Sequence, residues 1–295
     1  MFHPGRSLAP NGRTFASLWM SMFLGFFKPR TGGSSAIAHY VTQVCCCLFL
    51  TPILGIPCRA ADLHQQFSPT PNSAVIIGFV GGFVRHDDTR HAEVQLANRL
   101  RSEYGNHAYV NVFENRNRES ARTAVLQWLD KNSDGALSRS VKGRARIVLY
   151  GHSWGGSAVI ALARELQKDE IPVLLTIQVD SISKLWQDDH TIPANVSQAV
   201  NFYQTGGPLH GDREIVAADP ARTKILGDFR FDYEKQPEPC SSYPWFARHF
   251  LKGHTSIECD PNVWSQIEAL ISEKISENLP SIGTQAAAVS RPPSE

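Results

Sequence analysis

A serine flanked by glycines is the residue of this chain best suited to covalent chemistry. Ser153 stands in Gly151-His152-Ser153-Trp154-Gly155, and a further glycine occupies position 156. A strand-like apolar run, residues 145–150, precedes it, and helical spacing of apolar residues follows at 159–166. A serine on a sharp turn from strand to helix presents its hydroxyl, and such a turn leaves no space for flanking side chains. The pattern predicts a nucleophile; the alternative is a glycine-rich turn without chemistry.

Strand-like and helix-like segments alternate around this serine, which favours a parallel sheet with crossover helices. Continuous apolar runs predict four buried strands: residues 73–80, 108–113, 145–150 and 172–179. Asp260-Pro261 is typical of the start of a final helix. Beyond Ser181 the pattern loosens, with only a short strand-like piece at 199–203. The length and composition of residues 183–215 suggest a cap over a pocket.

These features resemble those of the α/β-hydrolases, in particular bacterial lipase-like, esterase-like and thioesterase-like members. The resemblance is carried by Gly-His-Ser-Trp-Gly-Gly at 151–156 and by the glycine turn at 78–82, and it covers roughly residues 73–275. It implies an α/β fold with a mainly parallel sheet and helices on both faces. It also implies that an acid and then a histidine follow the nucleophile in the chain.

A serine hydroxyl needs an imidazole to accept its proton during attack. The resemblance implies a base in a loop shortly before the final helix, where His254 stands in Lys252-Gly253-His254-Thr255. His210 and His249 are the alternatives. For each of the three, a surface or packing histidine is the competing interpretation.

The histidine in turn needs a carboxylate that fixes its tautomer and stabilises its cation. Asp180 follows the strand after the nucleophile strand, and the carboxyl ends of parallel strands share one edge of the sheet. Asp228 is the rival, because many family members carry the acid one strand later. A turn or helix-capping role is the alternative for Asp180.

Two backbone N–H groups should stabilise the negative oxygen that forms during attack. One is expected from Trp154, after the nucleophile, and the other from the turn after the first strand, at Gly82 or Phe83. A plain tight turn is the alternative for the glycine pair 81–82. Such a site requires no cofactor.

Three further patterns leave alternatives open. His86-Asp87-Asp88 reads as a solvated loop or helix cap, with substrate contact as the alternative. Asp130, Asn132 and Asp134 match the first ligands of a calcium loop, but Val141 stands where a bidentate glutamate is needed, so a polar loop competes. The aromatic residues of 243–250 would line an acyl pocket or pack in the core.

The first 61 residues predict a targeting segment rather than part of the fold. They contain five basic residues and no Asp or Glu, an apolar stretch at 44–56, and small residues at 58, 60 and 61. This pattern is typical of a cleaved signal peptide, and an uncleaved membrane anchor is the alternative. Residues 62–72 then form a linker, 73–279 the hydrolase domain and 280–295 a disordered tail.

Charge and cysteine content narrow the class of protein. Without the five basic residues of the leader, 24 basic residues face 28 acidic ones, a net charge near −4 that disfavours nucleic-acid binding. Outside the leader only Cys240 and Cys259 remain. In an exported chain they are expected to pair or to be two inert buried thiols.

The sequence therefore predicts a secreted or periplasmic serine hydrolase that cleaves carboxylic esters, either small molecules or lipid acyl esters. Thioesters are the next choice, and amides stay open. If the leader is an anchor, the same domain associates with a membrane. The competing classes are a non-catalytic binding module on a hydrolase scaffold and an acyltransferase with the same triad.

Overall fold

The computed structural model describes residues 74–130, 135–236 and 239–276. The strands are β1 Ala74–Val80, β2 Ala108–Glu114, β3 Ile147–His152, β4 Val173–Val179, β5 Thr191–Ile192, β6 Val196–Gln204, β7 Val216–Ala217 and β8 Lys224–Phe231. The helices are α1 Ala92–Tyr104, α2 Arg118–Leu129, α3 Arg139–Gly143, α4 Trp154–Lys168, α5 Trp245–Phe250, α6 Lys252–Cys259 and α7 Pro261–Ser276. The predicted leader, linker and tail lie outside the described residues.

Six strands form one sheet in the order β2-β1-β3-β4-β6-β8, and every neighbouring pair is parallel. After β1 the chain adds β2 on one side and β3 on the other. This reversal of direction opens a crevice at the carboxyl ends of β1 and β3, where ligands bind in open parallel sheets. Ser153 and the glycine turn after β1 both lie at that edge.

Helices cover both faces of the sheet, as the sequence predicts. On one face α1 and α7 pack against alternate strand residues such as Ile76, Val148 and Ile177. On the other, α2 and α4 pack against the intervening residues such as Ile77, Leu149 and Val173. Because both faces are buried, the strands read as continuous apolar runs. The fold is α/β-hydrolase-like.

The region beyond Ser181 departs from the expected cap. Residues 196–204 form β6, a full strand of the main sheet, and Phe202 is completely buried there. Polar residues interrupt its apolar pattern, which is why the sequence gives only a short strand signal; Asn201, for example, donates to the carbonyl of Asp212 and to Asp228. Only β5 and β7 pair separately, as a small two-stranded sheet.

No helix within the described residues is both long enough and apolar enough to cross a membrane.

Candidate active site

Ser153 lies on a strained turn between β3 and α4. Its φ of 57° and ψ of −127° are unusual for a residue with a side chain. The glycines around it are required by contact: a Cβ on Gly151 would lie 2.6 Å from the carbonyl oxygen of Gly155, and one on Gly155 would overlap the backbone of Phe79. The local sequence is thus the one that lets the strand turn directly into the helix with the serine at its start.

The structure brings Ser153, His254 and Asp180 together. Nε2 of His254 lies 2.9 Å from the Ser153 hydroxyl, and its Nδ1 lies 2.7 Å from Oδ2 of Asp180. Because a carboxylate only accepts, Nδ1 carries the proton and Nε2 is left to accept one from the serine. His254 is only 5% exposed and Ser153 only 8% exposed, so these hydrogen bonds are largely screened from water.

Asp180 accepts hydrogen bonds from several donors. It is fully buried, and its Oδ1 accepts from the backbone N–H of Gly211 at 2.7 Å. Its Oδ2 accepts from Nε2 of Gln204 at 2.7 Å, besides the ring of His254. A buried carboxylate with hydrogen bonds to both oxygens is stabilised in its charged form.

The rival residues have other partners. Nδ1 of His210 lies 3.0 Å from the carbonyl of Gly211, and the ring of His249 contacts Phe250. Asp228 accepts from the backbone N–H of Ile215 at 3.0 Å and from Asn201. Among the described residues, the hydrogen-bonded chain from serine to carboxylate therefore runs through His254. The prediction that His254 lies in a loop is wrong, because His254 lies on the short helix α6.

The two predicted oxyanion residues lie near the serine. Trp154 is the first residue of α4, where backbone N–H groups have no acceptor within the helix. The glycine turn contacts Ser153, since a Cβ on Gly81 would lie 2.9 Å from Cβ of Ser153. Gly82 has a φ of +46°, which favours glycine, and its carbonyl accepts from Asn115 at 2.6 Å.

Other polar residues near the site have no signal in the sequence. Gln204 is the last residue of β6 and reaches Asp180 only through the folding of the sheet. Lys184 donates to Oδ1 of Asn115 and lies 5.5 Å from the centre of the Trp154 ring. Burial and the charges of Arg118 and Arg116 lower the pKa of Lys184. Neither residue belongs to a motif, so only the structure brings them to the site.

Two further predicted patterns are the acidic loop at 86–88 and the calcium-loop pattern that begins at Asp130. Asp87 and Asp88 form exposed ion pairs with Arg85 and Arg90, as expected of a solvated loop. The bond with Arg90 lowers the pKa of Asp88 to about 2. The calcium-loop positions 132 and 134 lie outside the described residues.

Cys240 and Cys259 form a disulfide, with their Cα atoms 5.4 Å apart. The bridge closes the segment that carries α5 and α6, including His254. It therefore holds the two ends of that segment together.

Large apolar side chains are exposed on the segments next to the site. Phe83 follows the glycine turn and packs edge-on against Trp154, with ring centres 5.5 Å apart. Trp186 follows β4 and is 94% exposed, while Trp245 and Phe250 are exposed on α5. The core-packing interpretation of the aromatic residues is thus wrong for Trp245 and Phe250.

Comparison with known proteins found matches among solved structures only. No family model matches the chain, and no curated protein matches it. An arylesterase structure matches with a TM-score of 0.40 at 14% identity, over 70% of this chain and 77% of that one. A dienelactone hydrolase from Anabaena variabilis gives 0.34 at 10%, over 72% and 89% of the two chains.

A further match is the RedJ thioesterase of the prodiginine pathway in Streptomyces coelicolor, with a TM-score of 0.34 at 11% identity, over 70% of this chain and 89% of that one. At such identities and scores these structures do not establish an activity or a substrate for this chain. The α/β-hydrolase-like fold is carried by the chain's own strand order and by the strained serine after β3.

Proposed function

We propose that the protein is a serine hydrolase that cleaves carboxylic esters through a covalent acyl-enzyme. The observation that carries this proposal is the continuous hydrogen-bonded chain from Ser153 through His254 to Asp180, with distances of 2.9 Å and 2.7 Å. Two such bonds to opposite nitrogens of one ring put the imidazole in the tautomer that a general base needs.

In the proposed reaction, His254 accepts the Ser153 proton at Nε2 while Oγ attacks the ester carbon. The carbonyl oxygen becomes negative and is stabilised by the N–H groups of Trp154 and Gly82. Asp180 stabilises the imidazolium. Collapse of the tetrahedral intermediate breaks the bond to the leaving alcohol, which takes the proton from His254. Water then attacks the acyl group in the same way and releases the acid and free serine.

A phosphonylating probe tests the nucleophile directly. We expect a fluorophosphonate to label the wild-type protein, Ser153→Ala to abolish labelling and His254→Ala to slow it by about 10³-fold or more. Two matched controls, Ser157→Ala one turn along α4 and His249→Ala on α5, should label at the wild-type rate. Undiminished labelling of Ser153→Ala would contradict the proposal.

The substrate we propose is an ester with an apolar acyl group, either a small molecule or a lipid. The exposed ring of Phe83, which packs against Trp154 next to Ser153, supports this choice, because acyl chains bind by burying apolar surface. In a series of p-nitrophenyl esters, kcat/KM should rise by up to about fourfold per added methylene until the binding surface is filled. A profile that is flat or falls from the acetate onward would contradict an apolar acyl preference.

We also propose that the protein is exported, to the periplasm or the outside of the cell. The acid-free leader with its apolar stretch supports this, as does the Cys240–Cys259 disulfide, because disulfides persist in oxidising compartments. Fractionation of expressing cells should recover the mature protein outside the cytoplasm with no free thiol at either cysteine. Recovery in the cytosol with both thiols free would overturn the proposal.

A further inference from the structure

His152, the residue before the nucleophile, contacts the candidate catalytic histidine. The two rings lie with centres 4.6 Å apart and planes tilted by 34°. Nε2 of His152 lies 3.2 Å from the backbone carbonyl oxygen of His254. Since a carbonyl only accepts, Nε2 must carry the proton in this bond, and the neutral ring then has an unprotonated Nδ1.

The other nitrogen of His152 faces a buried carboxyl group. Its Nδ1 has no hydrogen-bond partner within the described residues and lies 3.9 Å from Oε1 of Glu93. Both side chains are almost completely buried, and Oε2 of Glu93 likewise has no partner there. Burial, and then the nearby charge of His254, lowers the pKa of His152.

Glu93 belongs to a buried cluster at the start of α1. Ligand atoms of His91, Glu93 and Glu258 lie within 4.8 Å of one another, and Tyr243 packs edge-on against the His91 ring. Oε1 of Glu258 already accepts from the backbone N–H of Ala92 at 2.9 Å and lies 3.2 Å from Nδ1 of His91. Burial first, and then the neighbouring Glu258, raises the pKa of Glu93. A proton on Glu93 relieves the repulsion between the two carboxyl groups.

The titratable groups around His152 are therefore His91 and Glu93 at the start of α1, His254 and Glu258 on α6, and Tyr243 beside Glu258. A charged His152 would repel the imidazolium that His254 must become during catalysis. A neutral ring in the same place offers its π face to that cation, which is favourable.

We propose that His152 is a positioning residue that stays neutral and holds His254 through the carbonyl hydrogen bond and the ring contact, with a protonated Glu93 beside its Nδ1. The inference rests on the proposed function, because it concerns the ring that would accept the serine proton. It assigns His152 a role besides that of filling space in the turn before the nucleophile.

Two variants separate the hydrogen bond from the ring. His152→Phe keeps an aromatic face and removes the N–H donor, while His152→Gln keeps a donor and removes the ring. We expect each to lower kcat by about three- to tenfold with little change in KM. Only His152→Gln should move the midpoint of the acid limb of the kcat/KM profile. The shift should be about half a unit to lower pH, because the variant loses the ring that stabilises the His254 imidazolium. His249→Gln is the matched control and should match the wild type.

A measurement independent of activity tests the protonation states. Ring ¹⁵N shifts of His152 should report a protonated Nε2 and a bare Nδ1 from about pH 5 to pH 9, in the wild type and in Glu93→Gln. A His152 that titrates in this range, or an unmoved acid limb in His152→Gln, would overturn the proposal. So would a stoichiometric metal ion that Glu93→Gln loses, because the cluster would then be a cation site. A protein that shows the expected ring shifts but is not labelled at Ser153 would refute the proposed function alone.

Discussion

Asp180 and Glu93 are both buried carboxyl groups close to the pair of histidine rings, and their surroundings are opposite. Asp180 accepts from a backbone N–H, a glutamine amide and an imidazole, at 2.7 Å in each case. Oε2 of Glu93 has no partner among the described residues, and a second carboxyl group, that of Glu258, lies in its cluster. Equal burial is therefore accompanied by unequal hydrogen bonding.

The two acids differ in their donors rather than in their depth. A carboxylate with donors at both oxygens is stabilised as an anion, whereas a carboxyl group beside another one is stabilised by keeping its proton. The anion at Asp180 serves the imidazolium that the proposed reaction requires. In the proposed arrangement, a protonated Glu93 leaves His152 uncharged. Two acidic residues would thus have different roles: Asp180 beside His254 as an anion, and Glu93 beside His152 as a neutral acid.

The largest effect is expected when the charge at Asp180 is removed. Asp180→Asn should lower kcat by about 10⁴-fold, because the amide cannot stabilise the imidazolium and favours the wrong tautomer. The equivalent change at the other acid, Glu93→Gln, replaces a neutral group by a neutral group and should cost less than about tenfold. Steady-state hydrolysis of one p-nitrophenyl ester measures both. Similar losses of kcat in the two variants would contradict the proposed difference in charge between Asp180 and Glu93.

The sequence predicts the strands and helices whose apolar residues form an uninterrupted pattern. Four strands, both helical faces and the serine turn follow from apolar runs and glycines around Ser153, because buried parallel strands and crowded turns restrict residue types. Strand β6 is only half predicted and β8 is missed. Their polar residues, such as Asn201 and Asp228, form hydrogen bonds with residues more than ten positions away in the chain. A pattern of neighbouring residues does not reveal such partners.

The site divides in the same way. Ser153 is marked by its flanking glycines, and Asp180 and His254 by their position along the chain relative to it. Gln204 and Glu93 contact the site from separate elements, and nothing in their own sequence neighbourhood distinguishes them. His152 stands in the serine motif, but its contact with His254 joins separate elements. The candidate triad is thus marked in the sequence, while the residues that contact it are found only in three dimensions.

A smaller effect is expected from removing one donor to Asp180. Gln204→Met keeps the size of the side chain but takes away the amide that donates to Oδ2. A hydrogen bond to a charged group is worth about 1.5–3 kcal/mol, so kcat should fall by about 10- to 100-fold. Gln198→Met, on the same strand β6, is the matched control and should keep wild-type activity. Unchanged kcat in Gln204→Met would mean that the remaining donors suffice to hold the anion.

The smallest expected effect is a pH dependence of stability that belongs to Glu93. The pKa of Glu93 is raised in the folded protein by burial and by Glu258, so the folded state holds this proton more tightly than the unfolded chain does. The resulting stabilisation is complete below the unfolded pKa of about 4.3 and is lost as the pH rises to the folded value. Between these limits the wild type should lose about 1.4 kcal/mol per pH unit relative to Glu93→Gln.

Urea unfolding of the two proteins at several pH values above 4.3 measures this slope, since the linear extrapolation gives the free energy of unfolding at each pH. Glu119→Gln, at a glutamate whose side chain is 78% exposed, should follow the wild type at every pH. A constant difference between wild type and Glu93→Gln would mean that Glu93 is ionised in the folded protein. The two buried acids would then differ in partners but not in charge, and the neutrality of His152 would need another cause.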